Sequence, residues 1–155
     1  MIKLTVKQLI DVTTRKVPMI GSLQDNLVQN GSAIDRLYAL EKPIHVAWAN
    51  RKQAAACNEE LKHYHEKRLA LCEKFGVKND ELGVYEFDGQ NSESTAKSPG
   101  SQKLAFDAAL IDLWNQEIEL PGRPIKISEI AESPAELTGS LSEFDCQMLE
   151  PFLAD

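Results

Sequence analysis

Four side chains that bind metals or act as nucleophiles lie close together in the middle of the chain: Cys57, His63, His65 and Cys72. Thiolate and imidazole groups are the usual ligands of zinc. The surrounding pattern is helical, which separates Cys57 from His65 by about 12 Å along the axis and His65 from Cys72 by about 10 Å. Zinc needs its ligands within about 2.0 to 2.3 Å of one ion. We therefore predict no metal site here.

The same residues lack the neighbours that nucleophilic catalysis requires. No histidine stands three or four positions from Cys57, so the thiol has no base on its own helix face. Glu117 and Glu119 alternate with apolar residues as a solvated strand face does. The glycine spacings of phosphate-binding loops and nucleophile elbows do not occur. We therefore expect no catalytic residue and no cofactor, and predict that the protein is not an enzyme.

One long helix is the main element predicted to position these residues. Pro43 suits a first helical turn, and no further proline or glycine occurs before Gly76, which gives about 30 residues and about 45 Å of helix. Residues at alternating steps of three and four form a stripe along one side of this helix. Such a stripe predicts packing against another helix, either of the same chain or of a second copy. The stripe consists of Ala47, Asn50, Ala54, Cys57, Leu61, Tyr64, Arg68, Leu71 and Phe75.

Shorter helices are predicted from caps and apolar spacing. Thr5 and Gln8 match a capping box, and Ser22, Ser32, Ser128 and Ser142 are placed as N-caps. Leu104, Ala108 and Ile111 recur at helical spacing. The predicted helices cover residues 6 to 15, 23 to 29, 33 to 41 and 102 to 115, with short helices near the C-terminus.

Strands are predicted in the second half of the chain. Residues 117 to 120 and 125 to 127 alternate around the turn Pro121-Gly122-Arg123-Pro124, which predicts a hairpin, with residues 84 to 87 as a third strand. Residues 89 to 102 are polar and predict a flexible loop. The expected fold is mainly α (α+β): a long central amphipathic helix packed with shorter helices, plus a small antiparallel hairpin or three-stranded sheet. Its 155 residues are expected to form a single domain.

Charge is distributed unevenly along the chain. The net charge is −7, but residues 107 to 155 carry −9 and the preceding residues +2. Such a tail repels phosphate backbones and could attract a basic protein, although a solvated acidic surface that only aids solubility also explains it. No run of about 20 apolar residues occurs, and the three cysteines accompany no export signal. We expect neither nucleic-acid binding nor membrane insertion.

Five side chains are candidates for a partner interface. Tyr38, Trp48 and Tyr64 are of the type that dominates interface energy when desolvated, although such residues also fill cores. Leu61 and Arg68 lie on the stripe of the long helix. The candidate interface therefore consists of Tyr38, Trp48, Leu61, Tyr64 and Arg68.

Several segments resemble a group of small uncharacterised proteins encoded by tailed bacteriophages and prophages. The matching segments are LTVKQLIDV, EKPIHVAWANRK, EKFGV, DLWNQEIELPGRPIKISEI and LEPFL. The resemblance implies a phage-encoded accessory or assembly protein that binds a phage or host protein or forms a homo-oligomer. It would act in the host cytoplasm or on the virion. The alternative is an acidic inhibitor of a host defence or nucleic-acid-binding protein, acting through the charged tail.

Overall fold

The computed structural model describes residues 1–14, 31–40, 42–87, 101–130 and 141–155. The helix predicted over residues 23 to 29 and nearly all of the polar loop predicted over residues 89 to 102 lie outside these ranges. The described elements, in chain order, are β1 Ile2–Thr5, α1 Val6–Thr13, α2 Ala33–Ala39, α3 Ile44–Phe75, β2 Val77–Asn79, β3 Val84–Glu86, α4 Ser101–Trp114, β4 Glu117–Leu120, β5 Ile125–Lys126, a 3-10 helix Ile127–Glu129, α5 Glu143–Met148, a 3-10 helix Glu150–Phe152 and β6 Leu153–Ala154.

Helix α3 is the longest of these elements, at 32 residues. The Pro43 carbonyl accepts the amide hydrogens of Val46 and Ala47, at 3.0 and 3.1 Å, and so begins the helix. The helix ends where the Gly76 amide donates to the Cys72 carbonyl at 2.8 Å. A Cβ at Gly76 would lie 2.9 Å from that carbonyl oxygen, so a glycine fits this end. The predicted continuous helix is confirmed.

Capping boxes begin three of the shorter helices. Before α1, the Thr5 hydroxyl accepts the Gln8 amide hydrogen and the Gln8 side chain accepts that of Thr5. Ser32 with Asp35, and Ser142 with Asp145, form the same reciprocal pair before α2 and α5. Each pair satisfies amide groups that a helix start leaves open. The predicted caps at Thr5, Ser32 and Ser142 are confirmed.

The described chain divides into two compact units, and α3 contributes one half to each. The first unit comprises Met1–Glu59 and Glu117–Asp155. Its β1 pairs antiparallel with β4, and its β5 pairs parallel with β6. Alternate residues of β1 and β4 face the interior because successive side chains in a strand point to opposite sides. The largest fully buried apolar side chains among the described residues of this unit are Ile2, Leu9, Val12, Leu37, Leu120, Leu141, Leu149 and Phe152.

The second unit comprises Glu60–Gln116. Its β2 and β3 form an antiparallel hairpin whose turn places Gly83 at a φ of +67°. The Asn79 carboxamide oxygen accepts the amide hydrogens of Glu81 and Leu82 and holds this turn. The rings of Phe87 and Phe106 lie 4.5 Å apart, which fixes α4 beside the hairpin.

The fold class is confirmed as mainly α with small sheets, but the strands beyond α4 pair differently from the prediction. Strands β4 and β5 do not form a hairpin with each other; they pair with β1 and β6. Strand β3 pairs with β2 and not with this region. The reason is that Ile118 and Leu120 lie in register with Leu4 and Ile2, so pairing β4 with β1 places the apolar residues of both strands on one side and buries Ile2, Leu4 and Leu120.

In the described ranges, no helix combines the length and the apolar composition that crossing a lipid bilayer demands.

Candidate functional site

The cysteine and histidine set of α3 is spread along the helix. Cys57 and Cys72 are buried, whereas His63 and His65 are exposed. Burial raises the pKa of the Cys57 thiol to about 11, although a hydrogen bond with the Tyr38 hydroxyl opposes the rise. That thiol therefore stays protonated at neutral pH, and a thiol is a weak nucleophile. The described residues bring together no group of three or more histidine, cysteine or acidic side chains around a metal position.

Two of the five predicted interface residues use their polar ends inside their own unit. The Tyr38 hydroxyl donates to the Gln53 carboxamide oxygen at 3.4 Å, and burial raises the pKa of Tyr38 above its ordinary value. The Tyr64 hydroxyl accepts the indole hydrogen of Trp114 at 3.1 Å, and Tyr64 is buried. Leu61 is half-buried. These three side chains thus pack mainly within the fold.

The other two predicted residues, Trp48 and Arg68, are open to solvent. Trp48 is 59% exposed, and the Arg51 guanidinium carbon lies 5.8 Å from the centre of its ring. Arg68 is exposed on the second half of α3. Of the three predicted aromatic candidates, Trp48 is therefore the one whose ring is open to solvent.

Helix α4 carries apolar residues on two opposite sides, and the structure covers one of them. Phe106 and Leu113 are buried, whereas Leu104 is 55% and Ile111 is 51% exposed. Ala105 and Ala108 lie between these two exposed side chains and are exposed as well. We call Leu104, Ala105, Ala108 and Ile111 the α4 face. Sequence reasoning used this spacing to predict the helix, but did not identify the face as a surface.

A second candidate surface is a groove of the first unit. Its inner part is a cavity of about 130 Å³. Its outer part is a depression of about 490 Å³, and the two parts share His45 and Ala49. The inner cavity is lined by His45, Val46, Ala49, Asn50, Gln53, Arg123, Ile125 and Glu129. The outer depression is lined by His45, Trp48, Ala49, Lys52, Pro121 and Gly122. We call the two together the α3 groove.

Gln53 and Gly122 bring the two walls of the α3 groove together. The Gln53 amide nitrogen donates to the Arg123 carbonyl at 3.1 Å, and Gln53 is 1% exposed. Gly122 has a φ of +99°, and a Cβ there would lie 2.8 Å from that same nitrogen. Only a glycine combines this backbone conformation with so close an approach. The turn Pro121-Gly122-Arg123-Pro124 was predicted, whereas its contact with α3 was not.

Asn50 is the unusual residue of the inner cavity. It is 4% exposed, and neither its amide nitrogen nor its carboxamide oxygen has a hydrogen-bond partner among the described residues. A buried polar group without a partner costs about 1 to 3 kcal/mol. The sequence could have indicated that Asn50 is unusual, because this polar residue interrupts an otherwise apolar stripe.

An ion pair neutralises the charge on the far wall of the α3 groove. The Arg123 guanidinium donates to both carboxylate oxygens of Glu129. These bonds, together with the amide hydrogen of Lys126, lower the pKa of Glu129 to about 2. Glu129 is therefore ionised and paired near neutral pH.

Comparison of the chain with family models, with curated proteins and with solved structures gave no match.

Proposed function

We propose that the protein is a phage-encoded, non-enzymatic accessory or assembly protein that acts by binding other protein molecules, and that the α4 face binds a second copy of this chain. The proposal rests on helix α4, which has apolar residues on two sides. Among the described residues, one of these sides is buried and the other is exposed. Leu104 and Ile111 are more than half exposed on that side, opposite the buried Phe106 and Leu113.

Hydrophobic burial supplies the driving force for such a contact. Covering a large aliphatic side chain contributes about 1.5 to 3 kcal/mol, and a helix with apolar residues all round is normally buried. Leu104 and Ile111 are two turns apart on one face, and the small Ala108 lies between them. Small residues at the middle of a seam let a partner helix approach closely. The α4 face thus has the geometry of a helix-pairing surface.

The low charge of the α4 face supports a second copy as its occupant. Two copies of a chain with a net charge of −7 repel each other over most of their surface. Asp112 is the one charged residue among the exposed α4 positions whose side chains the structure describes. Two such faces can therefore meet with little like-charge repulsion.

The resemblance to phage and prophage proteins supports the phage context, and with it a location in the host cytoplasm or on the virion.

The alternative role, an acidic decoy for a basic host protein, needs free negative charge. Four of the acidic residues between 107 and 155 already form ion pairs with basic side chains. These pairs are Asp107 with Lys103, Glu119 with Lys3, Glu129 with Arg123 and Asp145 with Arg36. We therefore favour binding through the apolar α4 face.

Light scattering over a concentration series tests the proposal. The wild type should show a mass above the 17.3 kDa of one chain. The double variant Leu104→Glu/Ile111→Glu should weaken self-association at least about tenfold, because burying unpaired carboxylates is costly. Both positions are exposed in the single chain, so its fold should not change.

The matched control is Ile44→Glu/Leu82→Glu, which adds the same charge at positions that are 76% and 69% exposed. It should associate like the wild type. A wild type that stays monomeric at millimolar concentration, or a double variant that associates as tightly as the control, would contradict the proposal. Raising the salt concentration distinguishes the proposal from the alternative role, because a charge-driven complex weakens steeply as salt rises whereas an apolar contact does not.

A further inference from the structure

The outer depression of the α3 groove is lined by one aromatic and two basic side chains. Trp48, which is 59% exposed, lines it together with His45 and Lys52. Its volume of about 490 Å³ falls within the range of about 300 to 1,000 Å³ that small-molecule sites occupy. Among the described residues, no acidic side chain lines it. The depression therefore has the size of a small-ligand site and lacks negative charge of its own.

Helical spacing brings the basic side chains next to the aromatic one. Residues three or four positions apart on a helix are neighbours on its surface. His45 precedes Trp48 by three positions and Lys52 follows it by four, and the small side chain of Ala49 lies between the two basic residues. A planar group that stacks on Trp48 thus has a basic side chain within reach on either side.

The turn before β5 forms the other wall of the depression. Pro121 and Gly122 line this wall. The Gln53 side chain on α3 donates to the Arg123 carbonyl at 3.1 Å, so the turn is tied to the helix through its backbone. This contact holds the two walls together, and the Pro121 ring gives the second wall an apolar surface against which a flat ring can pack.

The charge around the depression favours an anion. The chain contains no aspartate or glutamate between Lys42 and Asn58, although its net charge is −7. Lys52 forms no ion pair within the described ranges. The Arg51 guanidinium carbon lies 5.8 Å from the centre of the Trp48 ring but does not line the depression, so it adds positive charge without filling the space. Positive charge therefore remains beside the aromatic ring for a negative group of a ligand.

We propose that the outer depression binds a free mononucleotide, with its base stacked on Trp48 and its phosphate paired with Lys52. Every base has an aromatic face that can stack on an indole ring. A free nucleotide is favoured over a nucleic-acid strand because a chain with a net charge of −7 repels a polyanion more than a ligand with one or two charges. The depression belongs to the first unit and the α4 face to the second, so the failure of one proposal leaves the other standing.

An NMR titration with AMP tests this site, because the indole N–H signals of the two tryptophans report on different places. Trp48 lines the depression, whereas Trp114 donates its indole hydrogen to Tyr64 in the second unit. AMP should shift the Trp48 signal and leave that of Trp114 unchanged. At low salt, adenosine, which lacks the phosphate, should bind several-fold more weakly than AMP. Ribose 5-phosphate, which lacks the base, should bind about tenfold more weakly.

Two variants, measured by equilibrium dialysis, separate stacking from charge. Trp48→Leu should weaken the binding of AMP and of adenosine by a similar factor of about tenfold, because both ligands lose the stacking surface. Lys52→Gln should lower the affinity for AMP to that for adenosine and leave adenosine binding unchanged. The matched control is Lys62→Gln, which removes the same charge at an exposed position of α3 in the second unit. It should bind AMP like the wild type.

Three results would overturn the proposal. An unchanged Trp48 signal at millimolar AMP would show that the depression binds no nucleotide. Equal binding of AMP and ribose 5-phosphate to the wild type would indicate a basic patch without stacking. A short oligoadenylate that binds much more tightly than AMP would indicate a surface for a nucleic-acid strand instead of a site for one nucleotide.

Discussion

At the scale of single residues, the most deeply buried ion pair among the described residues of the first unit joins Arg36 to Asp145. The guanidinium donates to both carboxylate oxygens, at 2.9 and 2.6 Å, and Asp145 is 1% exposed. Burial by itself raises the pKa of Asp145. The hydrogen bonds from Arg36 and from the Ser142 amide outweigh that effect and hold the pKa below its ordinary value of 3.8.

Removing this carboxylate should destabilise the fold in a pH-dependent way. Asp145→Asn leaves the Arg36 charge nearly buried and unpaired, which costs about 3 to 5 kcal/mol in the free energy of unfolding at pH 7. Because the folded-state pKa is lowered, the carboxylate contributes its full stability above about pH 4 and loses it as the pH falls further. Urea unfolding at pH 7 and at pH 3 should therefore show a difference between wild type and variant that shrinks in acid.

Glu143→Gln is the control for this substitution, since Glu143 lies exposed on the same helix. It should change the unfolding free energy little at either pH. A loss for Asp145→Asn that stays constant between pH 7 and pH 3 would contradict the assigned role of the ion pair.

Sequence spacing predicted the local partner of Asp145 but not its distant one. Ser142 and Asp145 are three positions apart, and local spacing marked Ser142 as a cap correctly. Arg36 is 109 positions from Asp145, so no local pattern connects them. Asn50 was visible as a polar interruption of a stripe, but its missing partners depend on the packing of Ile125 and the turn before it, which only the fold determines.

At the scale of elements, helix boundaries were predictable and strand partners were not. Pro43 and Gly76 act on the backbone next to them, so they mark the ends of α3 directly. Strands β1 and β4 pair across more than 110 positions, and several apolar strands of this length compete for the same edge. The buried side of α4 was equally undetermined, because both sides offer apolar residues.

Continuity of α3 at its middle is open to a direct test. Asn58 is exposed near the point where the two halves of α3 meet, so a substitution there disturbs few contacts. Asn58→Pro removes a helical hydrogen bond and should lower the free energy of unfolding by about 3 kcal/mol or more. Asn58→Ala, the control, should be neutral or slightly stabilising. Equal urea unfolding curves for the two variants would show that the helix is not continuous at this position.

At the scale of the whole molecule, the sequence pattern predicted the fold class but not the location of the proposed binding surfaces. The mainly α fold follows from the long uninterrupted helical pattern, and the structure confirms it. Partner surfaces depend on which apolar side chains are left over after the core forms. Tyr38 and Tyr64 were reasonable candidates by residue type, yet both make hydrogen bonds inside the fold, whereas Leu104 and Ile111 are left outside.

Hydroxyl-radical footprinting of the wild type at low and high protein concentration tests the central claim most directly, because it reports the exposure of individual side chains. Oxidation of Leu104 and Ile111 should fall as the concentration rises, while oxidation of Ile44 and Leu82, which are exposed elsewhere, should stay constant. Unchanged oxidation of Leu104 and Ile111 at a concentration where light scattering shows oligomers would contradict the assignment of the α4 face as the contact surface.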